Sequence, residues 1–246
     1  MTNRAILELL NKKAPFSLAE EWDNVGLLIG SADREITRVL VALDATVGAI
    51  EAAKAMGADL IVTHHPVIFS PLKALNSDGI PYALAAAGID VISVHTNADK
   101  ADGGVNDVLA ERLGLTDLRV TEDGFCRIGQ LPEPTDATAF ARTVAEVLDT
   151  AVRVNGGDKI RTVAVCGGSG GDFITPLAGE IDAFISGEVR HHQWLEANAL
   201  GVTVIEAGHY ATEVPIVDAL CRWLQEAFPS LTVTAYYDNT PYETVR

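Results

Sequence analysis

The sequence predicts an α/β protein of two similar α/β halves, an internal duplication with a cleft between them. Two observations carry that expectation. Short β-rich runs alternate with helical stretches along the chain, and the polar residues closing those runs recur in a second copy of the same order.

The elements follow in order. MTNRAILELLNKKAP alternates apolar and charged residues, as an amphipathic helix does, and lacks the continuous apolar core of a secretory leader. TRVLVALD, ADLIVT, DVISVH, TVAVCG, AFIS and VTVIEA are short, apolar and rich in Val and Ile, the pattern of strands buried on both faces of a largely parallel sheet. Helical stretches fall between them, near 46–56, 81–87, 105–113, 136–149, 189–199 and 214–227. Gly57 and Gly114 sit where such helices would stop.

The repeat sets the domain expectation. TRVLVALDAT, ADLIVTHHP and GIDVISVHTNAD in the first half match RTVAVCGGSG, IDAFISGEV and GVTVIEAGHYATE in the second. His95 and Asp99 then correspond to His209 and Glu213, each pair an H-x-x-x-carboxylate beyond a strand. His64-His65 corresponds to Gly187-Glu188. Residues 1–125 form the first expected α/β half and 126–246 the second, with intertwining allowed. Ligands in open α/β sheets bind beyond the carboxyl ends of the strands, so two such units facing each other would bring both polar clusters into one cleft.

Composition narrows the chemistry. The chain has 246 residues, 48% of them hydrophobic and 21% charged, an ordinary globular balance. Its 34 acidic residues against 18 basic ones give a formal net charge of -16. Phosphate backbones and anionic membranes both demand basic contacts, so neither nucleic acid nor a membrane is expected as a partner. No uncharged apolar run approaches the ~20 residues that span a bilayer. Cys126, Cys166 and Cys221 form no CxxC and read as buried thiols of a reducing, cytoplasmic compartment.

Six histidines, His64, His65, His95, His191, His192 and His209, all fall at or just after a predicted strand end. Neighbouring side chains of a regular strand face opposite ways, but Pro66 breaks the strand at THHP and allows both imidazoles to turn toward one site. Read alone, the pair fits ligands and an exposed strand end equally well. HTNAD is expected as a loop, with Asp102 capping the following helix and Asp99 left for a metal. In GHYATEVP, Pro215 belongs in a first helical turn, so a helix is expected from near Thr212 or Glu213, with His209 on the loop before it. Three or four imidazoles and two carboxylates suit zinc, iron(II) or manganese(II). They exceed the needs of one catalytic zinc, and two ions sharing a carboxylate fit better. Such a pair lowers the pKa of a shared water, so hydrolysis is the chemistry expected.

EEWDNVGLLIG, DLIVTHHPVIF, HTNADKADGGVND, ISGEVRHH and AGHYATE together resemble the Nif-three-like proteins, also known as homologues of GTP cyclohydrolase I type 2. The match spans about Trp22 to Glu213. The resemblance implies a toroidal homohexamer of subunits with two similar α/β halves and a dinuclear metal site in their cleft. It implies two divalent ions per subunit, held by His64, His65, Asp99, His209 and Glu213, with His95 either a ligand or a residue orienting one. It also suggests a small nucleotide or pterin-like substrate; a phosphoesterase or a non-enzymatic metal-binding scaffold are the alternatives. Glu188 and His192 in SGEVRHH are candidate acid/base or substrate-binding groups, or hydrogen-bond partners of the ligands. Trp22 in WDNVGL is expected to anchor a packed turn. CGGSGGDF lacks the Lys and Ser/Thr of a phosphate-binding loop and is expected to pack tightly.

Overall fold

The computed structural model describes residues 1–238, Thr240 and Tyr242. It consists of two compact units, Met1–Gly104 with Ile216–Thr240, and Val105–Pro215 with Tyr242. The sequence reading divides the chain once, after residue 125; the units part at Gly104 and again after Pro215, because the last helix and strand return to the first sheet.

The first unit is built on a five-stranded sheet. Its strands are β1 (Gly26–Ile29), β2 (Arg38–Ala42), β3 (Leu60–Thr63), β4 (Asp90–Ser93) and, from the far end of the chain, β11 (Thr232–Ala235). The order is β1-β4-β3-β2-β11, with β2, β3, β4 and β11 parallel and β1 antiparallel to β4. Around it lie α1 (Asn3–Lys13), α2 (Val47–Met56), α3 (Ile80–Ala87), the short α4 (Thr96–Lys100) and α10 (Ile216–Ala227). Local chemistry fixes the helix ends. Thr46 Oγ1 accepts from Ala49 N at 3.1 Å to start α2, and Gly57, at φ +66°, stops it in the left-handed region that a side chain disfavours. Leu40, Ile61, Leu84 and Val91 form part of the core between sheet and helices.

The second unit repeats the plan. β5 (Thr116–Val120), β6 (Arg127–Asp136), β7 (Arg153–Val154), β8 (Lys159–Cys166), β9 (Ala183–Ser186) and β10 (Thr203–Glu206) form a sheet of order β5-β6-β8-β9-β10-β7. β8, β9 and β10 are parallel, and β7 is antiparallel to β10. Its helices are α5 (Val105–Arg112), α6 (Ala137–Val147), α7 (Ile174–Leu177), α8 (His191–Leu200) and α9 (His209–Glu213). The core includes Leu109, Phe140, Val163, Ile185 and Ile205.

The duplication is visible in topology. β1-β4-β3-β2 and β7-β10-β9-β8 have the same order and sense: three parallel strands and an antiparallel edge paired to the third. In each unit the three parallel strands end level. Ala42, Thr63 and Ser93 are in register in the first, as are Cys166, Ser186 and Glu206 in the second. Each third strand leads into a five-residue helix, α4 or α9, that carries the H-x-x-x-carboxylate motif at its start.

Candidate metal centre

In the first unit β3 stops at Thr63, so His64 and His65 lie just beyond the last paired residue and are free of strand alternation. Their ring centroids are 4.9 Å apart, and His95, two residues past the end of β4, stands 5.2 Å from one and 5.6 Å from the other. One ring nitrogen from each of the three lies within 4.8 Å of the other two, close enough to hold a metal ion.

Each imidazole is held from behind. His64 Nδ1 donates to Val94 O at 2.9 Å, His65 Nδ1 to Asp44 Oδ1 at 2.8 Å, and His95 Nδ1 to Asp23 Oδ1 at 2.8 Å. A carbonyl or carboxylate oxygen only accepts, so Nδ1 carries the hydrogen in all three rings and the lone pair sits on Nε2. This is the arrangement that sets tautomer and ring orientation in metal-ligating histidines. His64 is fully buried, and its Nε2 lies 3.7 Å from Asp99 Oδ1. That spacing is too long for a hydrogen bond and suits two donors on one ion with bonds of ~2.0–2.2 Å.

Two expectations change here. Where a loop was expected, Thr96–Asp99 of HTNAD lie in the helix α4, with His95 at its N-cap and Asp99 in its first turn. The group that caps it is Asp23, whose Oδ2 accepts from Thr96 N at 3.0 Å and from Thr96 Oγ1 at 2.5 Å. Burial alone would raise the Asp23 pKa, but the hydrogen bonds from His95 and Thr96 overcome it and bring the carboxyl down to about 2. Trp22, expected to anchor a packed turn, is 58% exposed. Its sequence neighbours do the anchoring, Asp23 toward His95 and Asn24 through a 2.5 Å bond from Nδ2 to Ile68 O. Asp23 and Asp44 were missed as supporting residues; Asp44, two residues past β2, comes level with His65 only through the β2–β3 register.

In the second unit His209, expected on a loop, opens a separate short helix, α9, and the helix expected across Pro215 starts as α10 at Ile216; Gly208 at φ +82° and ψ 141° turns the chain into α9. His209 and Glu213 are therefore one turn apart on one face, with Nε2 3.0 Å from Glu213 Oε2. Glu188 Oε1 lies 3.3 Å from the other nitrogen, Nδ1. His209 thus has a carboxylate beside each ring nitrogen, an arrangement that suits a cation shared with Glu213.

Gly167 and Gly168, directly after β8, make room for this pair. A methyl group at Gly168 would overlap Glu213 Oε1 and lie 3.2 Å from His209 Nε2. The Gly-rich run thus packs tightly, and what it packs around is the ligand pair. Ser169 Oγ donates to Glu188 Oε2 at 2.6 Å, steadying that exposed carboxylate. His192 is exposed in the first turn of α8.

Donor chemistry fits a divalent ion in both units: oriented imidazoles with carboxylates, without a thiolate. The buried Cys126 and Cys166 and Cys221, the last pushed up to about 12 by burial and by Asp218, are not placed as ligands. Among the described residues no helix is long and apolar enough to cross a membrane.

Fold and donor sets define an α/β protein of two like units carrying histidine and carboxylate clusters that could hold metal. The Duf34/NIF3 (NGG1p interacting factor 3) family pattern matches residues 1–241. The chain belongs to that family. It is 38% identical over 212 residues to the "GTP cyclohydrolase 1 type 2 homolog" of Lactococcus lactis, covering 81% of this chain and 82% of that protein. It is 33% identical to the "GTP cyclohydrolase 1 type 2" of Helicobacter pylori strain J99, covering 85% and 86%. A hypothetical protein of Staphylococcus aureus superposes with a TM-score of 0.93 at 29% identity, over 100% of this chain and 99% of the other.

Proposed function

We propose that the chain is a metal-dependent hydrolase of a nucleotide or pterin-like small molecule, with two divalent ions, zinc, iron(II) or manganese(II), held by His64, His65, Asp99, His209 and Glu213. The observation that carries this reading is the set of three imidazoles fixed at Nδ1 by Val94, Asp44 and Asp23. Support for two ions comes from the duplicated H-x-x-x-carboxylate helices and from the family resemblance. When bound, such a pair supplies Lewis acidity and a water acidic enough to attack near neutral pH.

The protein's own residues would do the rest. Asp23 and Asp44 hold His95 and His65 in one tautomer. Glu188 is the proposed proton-transfer group, since it is exposed and reaches His209 Nδ1. His192 is proposed as a group that meets substrate. His95 is proposed to orient the neighbouring ligands or to join them. GTP comes under the proposal from the names of the relatives, as does assembly into a homohexamer from the resemblance.

A phosphoesterase is less well supported. Of the three cations near the ligand motifs in sequence, Lys100 pairs with Glu20, Arg190 pairs with Asp172 at 2.5 Å, and Lys73 is exposed. A phosphate clamp would need such groups turned to the substrate. The test is product analysis with metal-loaded protein: formate from GTP supports the proposal, inorganic phosphate from nucleotide esters supports a phosphoesterase, and turnover unaffected by H64A and E213A contradicts both.

A further inference from the structure

We propose that Trp22 and Phe69 form a ring-stacking subsite beside the histidine cluster, recognising a flat heteroaromatic ring such as a purine or a pterin. The inference rests on the small-molecule reading above and assigns it a binding surface. Trp22 is 58% and Phe69 53% exposed, unusual for large aromatic side chains in a chain with a well-filled core. They are not scattered. Their centroids are 5.7 Å apart with planes tilted by 44°, and each stands nearly edge-on to the His95 ring, at 6.2 and 6.3 Å. His95 in turn is one of the three clustered imidazoles. The exposed aromatic pair therefore adjoins the place where chemistry is proposed.

The pair is also held in position. Trp22 precedes Asp23, which is tied to His95 and Thr96, and Asn24, which is tied to the carbonyl of Ile68 immediately before Phe69. WDN thus presents one ring, supports one ligand and pins the loop that carries the second ring. Exposed apolar side chains held rigidly lose little entropy on binding, which favours their use as anchors. At 5.7 Å the two rings leave no room for a third between them, which needs ~3.5 Å on each side. A ligand ring would lie on the exposed indole face with Phe69 along its edge.

The charge distribution favours rings over phosphates as the recognised feature. The chain carries a formal charge of -16; of the cations nearest the ligand motifs in sequence, Lys100 and Arg190 pair with Glu20 and Asp172, and the third, Lys73, is exposed. Stacking needs no such cation, because every base has a π face.

The test is equilibrium binding to the full-length, metal-loaded protein, by calorimetry, with guanosine, neopterin and ribose 5-phosphate as probes. Guanosine and neopterin should bind, and ribose 5-phosphate at least about 10-fold more weakly. W22A and F69A should each weaken the ring compounds about 10-fold, in line with the loss of one stacking partner. W22F should retain most of the affinity, and all three variants should keep the wild-type metal content. Equal binding of ribose 5-phosphate, no binding of either ring compound, or unchanged affinity in W22A and F69A would overturn the subsite. So would variants whose solution mass changes while their ring affinity does not, which would make the pair a contact between copies. Ring binding without turnover would sink the hydrolase reading and leave the subsite standing; turnover with W22A unaffected would do the reverse.

Discussion

Asp23 Oδ1 accepts the Nδ1 hydrogen of His95 at 2.8 Å, while its other oxygen caps α4, the helix that carries Asp99. One buried carboxylate thus orients a clustered imidazole and anchors a candidate ligand helix. Its two tasks separate experimentally. D23A should lower metal affinity by about 10- to 100-fold, the usual effect of losing a ligand's supporting partner. D23N, whose side-chain carbonyl still accepts a hydrogen bond, should lose less. Metal titration of both variants against wild type checks the order, and equal affinity in all three would contradict it.

Gly168 offers a test from the second unit. At φ +59° a side chain is strained, and a methyl there would overlap Glu213. G168A should cost about 1–2 kcal/mol of stability from the backbone alone. It should also lower metal content, through displacement of Glu213. Thermal unfolding together with metal analysis distinguishes this from a purely structural change, which would leave metal content intact.

Asp59 predicts an acid-dependent loss of stability remote from the ligands. Burial raises its pKa, but bonds from Thr37 N, Thr37 Oγ1 and Arg38 N, with Arg34 nearby, outweigh that and lower it. A depressed folded pKa means the carboxylate stabilises the fold above its unfolded pKa of ~3.9 and stops doing so as pH falls through the folded value. D59N should be destabilised by about 1 kcal/mol at neutral pH. Urea unfolding should show wild type and D59N converging as pH falls below about 4. A constant gap across that range would contradict the assignment.

Cys221 lies on the buried face of α10, and its thiol pKa is pushed up to about 12 by burial, with Asp218 adding to it. The native protein should resist iodoacetamide at Cys221 near pH 8.5, where an ordinary thiol is half ionised. It should be labelled once unfolded. Peptide mass analysis reads this directly, and rapid native labelling would contradict it.

The sequence showed six of the parallel strands clearly, since β2, β3, β4, β8, β9 and β10 are short, largely apolar and buried runs. It hid β1, β5, β6, β7 and β11. β5 is exposed throughout and β7 is two residues long, so neither leaves a hydrophobic pattern. The short helices α4 and α9 were also hidden. Each has only five residues, held by a remote cap in one case and a positive-φ glycine in the other, and periodicity needs more turns than that. The duplicated H-x-x-x-carboxylate motif singled out His95 with Asp99 and His209 with Glu213, while His64 and His65 stood out only as an adjacent pair at a strand end. Asp44 and Asp23 were not legible, since a supporting hydrogen bond depends on strand register and turn geometry that spacing alone does not carry.

The central claim is a pair of divalent ions on these donors. Metal analysis by inductively coupled plasma mass spectrometry of protein purified without chelators, alongside H64A and E213A, tests it most directly. The proposal predicts two divalent ions per chain in wild type and a loss in each variant. One ion or none per wild-type chain, or variants that retain the full complement, would contradict it.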